Sequence, residues 1–253
     1  VSSDRRGSQE CPACGAPWQR TTRFCPRCGV QRSRLEAHAH DQRATTRAVA
    51  ALALAFVGAL ACIALPALSE TLAEDAFQAS IVSALGLTLC AALAALATEN
   101  SGLVAAFPWR SAPRAWLDAA AVALAGFGVS WGYTSALAQL SDGEGDALEF
   151  EYASVAQMWI AVVLLAPIAE ELLCRGAVWR ALQRLAPGRP IECIVATAAL
   201  FALLHGLNGG FALEFPHRFV FGLGVGWVRQ RSASLAPCIA AHALHNAFAC
   251  ALE

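Results

Sequence analysis

Seven apolar stretches recur after position 47, with Asp118 the one charged residue inside them, and they limit what this chain can become more than any other feature. They cover residues 48–68, 77–98, 116–140, 155–168, 194–213, 219–228 and 235–252. The first three are each long enough to carry a helix across the hydrocarbon core, which takes about 20 residues rising about 1.5 Å apiece. No water in that core can satisfy backbone N–H and C=O groups, so a spanning segment is a helix or part of a closed barrel. Barrel strands alternate apolar and polar residues, whereas these runs are continuous and rich in Ala and Leu, so helices are expected. Hydrophobic residues make up 57% of the chain and charged residues 15%, too apolar a balance for the surface of a soluble enzyme. The sequence therefore predicts an all-α polytopic membrane protein of about seven transmembrane helices. The 155–168 run continues past two glutamates, and the 219–228 run is short and punctuated by Gly222, Gly224 and Gly226, so it is expected to be extended, tilted or packed tightly against a neighbour.

Charge is segregated along the chain rather than present in excess. The net charge is −1, which leaves no footprint for a nucleic-acid partner, and all 18 basic residues are arginine. Arg32, Arg34, Arg43 and Arg47 precede the first run, and Arg110 and Arg114 lie between the second and third. Arg175, Arg180, Arg184 and Arg189 follow the fourth, and Arg229 and Arg231 precede the seventh. The intervening loops carry Glu70, Glu74 and Asp75, then Asp142, Glu144, Asp146, Glu149 and Glu151, with Arg218 the one basic exception. Every second loop is thus basic, and such loops mark the cytosolic side. Residues 1–47 also lack the apolar stretch of about 7–15 residues that a secretory signal carries. The N-terminal end is expected in the cytosol, and the chain in a bacterial cytoplasmic membrane in contact with lipid.

Four of the ten cysteines fall in the polar N-terminal segment. Cys11-Pro12-Ala13-Cys14-Gly15 is echoed by Cys25-Pro26-Arg27-Cys28-Gly29, ten residues apart. Each turn brings two thiolates to one side, and together they offer the four sulfurs of a closed, tetrahedral structural zinc site. A reducing cytosol argues against two disulfides instead. Residues 1–30 resemble the zinc ribbons fused to bacterial membrane proteins, residues 31–47 read as a basic linker containing His38 and His40, and residues 48–253 as the helical domain. So short a ribbon draws most of its stability from metal, and it is a candidate to bind a cytosolic partner.

Ionisable groups inside apolar helices are costly, and each is a candidate for function. Glu170 and Glu171 are followed by Arg175 and Gly176. Glu171 and Arg175, four apart with the acid first, suit an intrahelical ion pair. Glu170 then points about 100° away without a partner on its own helix. A carboxylate in such surroundings can accept and return a proton near neutrality. His205 is a lone imidazole four residues after Phe201. His242 and Asn246, also four apart, share one face of the last helix and could donate to a developing oxyanion, with His245 close by. Counting helical rise from each end brings the three clusters to similar depths, so all can meet.

Read in order, EExxxRG at Glu170–Gly176, FxxxH at Phe201–His205 and HxxxN at His242–Asn246 resemble the CAAX-protease and bacteriocin-processing family of intramembrane endopeptidases. The likeness covers about the C-terminal half, a protease core from about residue 115. It implies that Glu170 and His205 activate a water for attack on a peptide carbonyl, that His242 and Asn246 stabilise the oxyanion, and that Glu171 and Arg175 brace the site. Substrates would be membrane-associated, prenylated or leader-type peptides. The family core commonly has eight helices, one more than the runs counted here. Glu170, His205 and His242 could alternatively ligate a catalytic zinc. The metal-free reading is preferred because no HExxH spacing sets two imidazoles on one turn. Two other classes compete: a catalytically silent scaffold or immunity-type protein that binds a partner through its ribbon, and a transporter using Glu, His and Arg as a proton relay.

Overall fold

The computed structural model describes residues 8–10, 17–19, 42–60, 76–98, 107–140, 152–209 and 211–252. The chain divides into two compact units, Val1–Arg47 and Ala48–Glu253. In the first, strands β1 (Ser8–Glu10) and β2 (Pro17–Gln19) pair antiparallel, with Glu10 opposite Pro17. The pair brackets residues 11–16, where the first cysteine knuckle falls. Cys11, Cys14, Cys25 and Cys28 themselves lie outside the described residues.

Seven helices follow among the described residues: α1 (Gln42–Leu60), α2 (Ala76–Thr98), α3 (Pro113–Leu140), α4 (Val155–Leu185), α5 (Pro190–Gly209), α6 (Phe211–Ser232) and α7 (Ala236–Leu252). The chain is a helical integral membrane protein, and α1 to α4 have the length and hydropathy to cross a bilayer. The expectation of about seven spanning helices is met by only these four on that measure. α7 is apolar but 17 residues long, α5 is apolar over Pro190–Gly206, and α6 carries Glu214, Arg218, Arg229 and Arg231.

The run at 219–228 proves to be the middle of a 22-residue helix. Its polar ends are partnered: Arg218 by Glu214 of the same helix, buried Arg229 by the Arg175 carbonyl, and the more exposed Arg231 by Asp118 of α3. Its glycines do not break it; they let α5 approach. A Cβ on Gly222 would stand 3.0 Å from the Ala198 Cα, and one on Gly226 would stand 3.1 Å from the Ile194 Cγ2. Gly222 and Gly226 are four apart, as are Ile194 and Ala198, so the glycine face of α6 meets one face of α5 along one line.

Packing elsewhere relies on alanine. Ala48, Ala51, Ala55 and Ala59 of α1 form a buried stripe at helical spacing and join Ala91, Ala94 and Ala95 of α2 in one core with Leu172, Leu173 and Ala177 of α4. Large apolar side chains such as Leu85, Leu89, Leu93 and Leu117 point outward, as lipid-facing residues do. At one end of the bundle, Leu235 N–H donates to Pro108 O at 2.8 Å and Arg231 reaches Asp118 at 3.1 Å. Ser80 and Tyr152 hydroxyls, 3.2 Å apart, join the starts of α2 and α4.

Candidate active site

α4 supplies three of the charged groups, and its local geometry follows from Pro167. Proline has no N–H and its ring crowds the carbonyl one turn back. Ahead of it the helix widens into a π-helical turn, Trp159–Leu165, and a second such turn, Leu172–Val178, follows the two glutamates. In the first, the Ala166 N–H bonds Ala161 O, five residues back. In that register Val162 O would need the N–H that Pro167 lacks. Asn246 of α7 takes the place, its Nδ2 donating to Val162 O at 2.8 Å. The expected oxyanion donor thus has one of its two amide hydrogens committed to the α4 backbone.

Glu171 and Arg175 are both fully buried, with Nη1 donating to Glu171 Oε1 at 2.9 Å. The Arg175 Nη2 donates to Gly222 O at 2.9 Å, and the guanidinium lies over the Phe201 ring at 5.1 Å from its centroid. A buried ion pair draws on further hydrogen bonds to offset its desolvation, and the close packing of α6 brings the Gly222 carbonyl within reach, while Glu171 Oε2 and Arg175 Nε have no hydrogen-bond partner among the described residues. Behind it, Arg229 Nε donates to Arg175 O at 3.0 Å while stacking on Trp179.

His242 Nδ1 lies 3.1 Å from Glu171 Oε1. A carboxylate paired with arginine only accepts, so Nδ1 carries a hydrogen and, in the neutral ring, Nε2 carries a lone pair. His205 Nδ1 lies 2.9 Å from Phe201 O, a carbonyl, and the same reasoning leaves its Nε2 as an acceptor. Both Nε2 atoms face Glu170 Oε2, His205 at 3.8 Å and His242 at 3.9 Å. That oxygen is buried and has no hydrogen-bond partner among the described residues. Three lone-pair atoms therefore face one another across distances too long for a direct hydrogen bond, and the gap requires a donor or a cation between them. Water meets that need. The donor types would also suit a metal ion, although no three His, Cys, Asp or Glu side chains among the described residues are grouped so that they could hold one.

Aromatic rings fix the imidazoles. Phe201 and Phe221 both stand edge-on to His242, with centroids 5.3 and 5.5 Å away, and Phe201 lies 4.6 Å from His205. His245 stacks on Phe221 at 4.2 Å and takes no part in the carboxylate cluster. Of the residues singled out in the sequence, Glu170, Glu171, Arg175, His205 and His242 converge, with Asn246 holding α7 against α4. Sequence reasoning overlooked Phe221, the Gly222 carbonyl and Arg229. The Gly222/Gly226 spacing was the available signal for the second, and Pro167, five residues after Val162, for the partner of Asn246.

The bundle and its centre define an integral membrane protein with carboxylates and imidazoles gathered inside its helices. Residues 152–248 match the family model described as Type II CAAX prenyl endopeptidase Rce1-like. That segment holds all six site residues, so the part of the chain bearing the centre is similar to a protease family. No curated protein matches the chain, and no solved structure does.

Proposed function

We propose that the chain is an intramembrane endopeptidase that hydrolyses peptide bonds of membrane-associated, prenylated or leader-type substrates with water activated by Glu170 and the facing imidazoles. The observation that carries this reading is the unpartnered Glu170 Oε2 between two Nε2 lone pairs. A water there donates to Glu170 and to one imidazole. As its oxygen bonds to the peptide carbonyl carbon, Glu170 takes a proton, and the carbonyl oxygen becomes the oxyanion. The second Asn246 N–H is the donor available to that oxyanion, while one imidazole Nε2 accepts the hydrogen that stays on the attacking oxygen. Glu171, against Nδ1, holds the His242 ring in the tautomer whose Nε2 accepts. Collapse breaks the C–N bond, and the proton on Glu170 passes to the leaving amine. Phe201 holds His205, and Arg175 holds Glu171, in these orientations.

The reading extends to a structural zinc held by Cys11, Cys14, Cys25 and Cys28, a ribbon available to a cytosolic partner, and an arginine-rich end of the bundle facing the cytosol. The catalytic step is tested with purified full-length protein and a fluorescence-quenched peptide carrying a prenylated cysteine. Cleavage should occur, and Glu170→Gln and His205→Ala should each lower it by at least about a hundredfold while the folded yield persists. Cleavage by Glu170→Gln at the wild-type rate would overturn the mechanism, and no cleavage by the wild type would favour the silent scaffold.

A further inference from the structure

Three arginines meet outside the catalytic centre, and the mechanism above uses none of them. Arg180, Gln183 and Arg184 of α4 and Arg229 of α6 line a cavity of about 260 Å³ at one end of the bundle. Positions 180, 183 and 184 share one face of α4, because residues three and four apart are neighbours on a helix. Arg229 is only 6% exposed although its charge is permanent. It is held from one side: Nε donates to Arg175 O at 3.0 Å, and the guanidinium carbon lies 5.8 Å from the centroid of the Trp179 ring. Its two terminal nitrogens make no hydrogen bond or ion pair among the described residues. A guanidinium braced in this way presents those nitrogens as a fork, which takes an oxyanion through two parallel hydrogen bonds. Among the described residues no carboxylate lines the cavity. The acids of the adjoining helix ends are engaged elsewhere, Asp118 with Arg231 at 3.1 Å and Glu192 with Arg189 at 2.8 Å. Three like charges around one space repel one another, and an anion in the middle relieves all three at once.

We propose that this cavity binds the phosphate of an anionic membrane lipid, with Arg229 as its anchor and Arg180 and Arg184 flanking it. A phosphate could also come from solution, but the cavity lies where lipid headgroups are. Trp227 is two residues before Arg229, Trp116 is two before Asp118, and Trp109 follows the Pro108 carbonyl that receives the Leu235 N–H; all three rings are exposed. Exposed tryptophans gathered at one end of a membrane bundle mark the headgroup level, and a basic pocket between helices at that level suits a lipid headgroup. The assignment stands on these contacts alone and holds whether or not the centre cuts peptides.

Full-length protein in a nonionic detergent is titrated with phosphatidylglycerol or with phosphatidylcholine of the same acyl chains, and bound lipid is counted by native mass spectrometry. One equivalent of phosphatidylglycerol should bind at least about tenfold more tightly than phosphatidylcholine, whose choline cancels the charge. Arg180→Gln with Arg184→Gln leaves the buried Arg229 and its bond to Arg175 O in place, and should bring the ratio to about one. Arg110→Gln with Arg114→Gln removes as much charge from the segment beside Pro108 and should leave the ratio unchanged. Equal loss in the two double variants would mean diffuse attraction to a basic surface and overturns the site. A ratio near one in the unaltered protein, which needs no variant to fold, overturns it as well. Excess inorganic phosphate should leave the lipid bound; complete displacement would make the site one for free phosphate and overturns the lipid assignment.

Discussion

At the centre Glu171 and Arg175 pair with each other, and Glu170 pairs with neither. Arg175 divides its guanidinium between Glu171 and the Gly222 carbonyl, Glu171 is shared with His242, and Glu170 alone is left facing acceptors. Removing Glu171 should therefore harm the fold more than removing Glu170 does. In Glu171→Ala, Arg175 keeps a cation in a fully buried place with only a carbonyl to answer it, a loss of about 3–5 kcal/mol. Thermal melting of the purified variants should show this order, and a Glu171→Ala protein as stable as Glu170→Gln would place the bracing charge elsewhere. Much of the pairing was legible in the sequence, because Glu171 and Arg175 are four apart on one helix and that spacing is enough to bring them together. The bond from His242 to Glu171 was not, because it joins residues 71 positions apart and depends on how α7 lies against α4.

Among the elements, α4 and α6 differ most from what their sequences announce. The apolar run that introduces α4 is compatible with an unbroken α-helix, and only Pro167 hints at the widened turn and at the carbonyl that Asn246 satisfies. For α6 the glycines left an extended, a tilted and a tightly packed segment open; in the bundle they are the surface that lets α5 come close enough for the Gly222 carbonyl to reach Arg175. Periodicity finds an apolar face but gives no sign of which neighbour will cover it, so this contact was hidden. Gly222→Val should consequently act at a distance. Its branched side chain would push on the Ala198 backbone, cost about 1–3 kcal/mol of stability, and reduce activity by moving Arg175's acceptor. Gly128→Ala is the control, since a Cβ there meets nothing within 4 Å. Equal melting temperatures and activities for the two variants would show that the α5–α6 approach is not what positions the site.

For the whole molecule, the membrane character was legible from composition and run length, while the number of true spans was not. α6 and the shorter α5 and α7 are held by packing and internal ion pairs as much as by hydropathy, and hydropathy alone cannot report that. The two units also call for separate metal accounting. Full-length protein should carry about one equivalent of zinc, and replacing Cys11, Cys14, Cys25 and Cys28 together by Ser should release it without unfolding the helical bundle, which has its own core. Metal analysis of that variant also decides the chemistry at Glu170. Less than about one-tenth equivalent with peptide cleavage retained in chelator agrees with water activated directly, whereas a remaining equivalent that His205→Ala removes would make the centre a metal site.

The ring of acceptors around Glu170 Oε2 also has a pharmacological meaning. Two imidazole lone pairs and a carboxylate oxygen converge on one small space, so a compound that fills it has to arrive as a proton donor. Ketones that hydrate to a geminal diol, or compounds ending in a protonated amine, match that demand. A group that offers only lone pairs at that point, such as a carboxylate, would be repelled by the three acceptors. That demand is set by the wiring of two Nδ1 atoms, one to a carbonyl and one to a carboxylate.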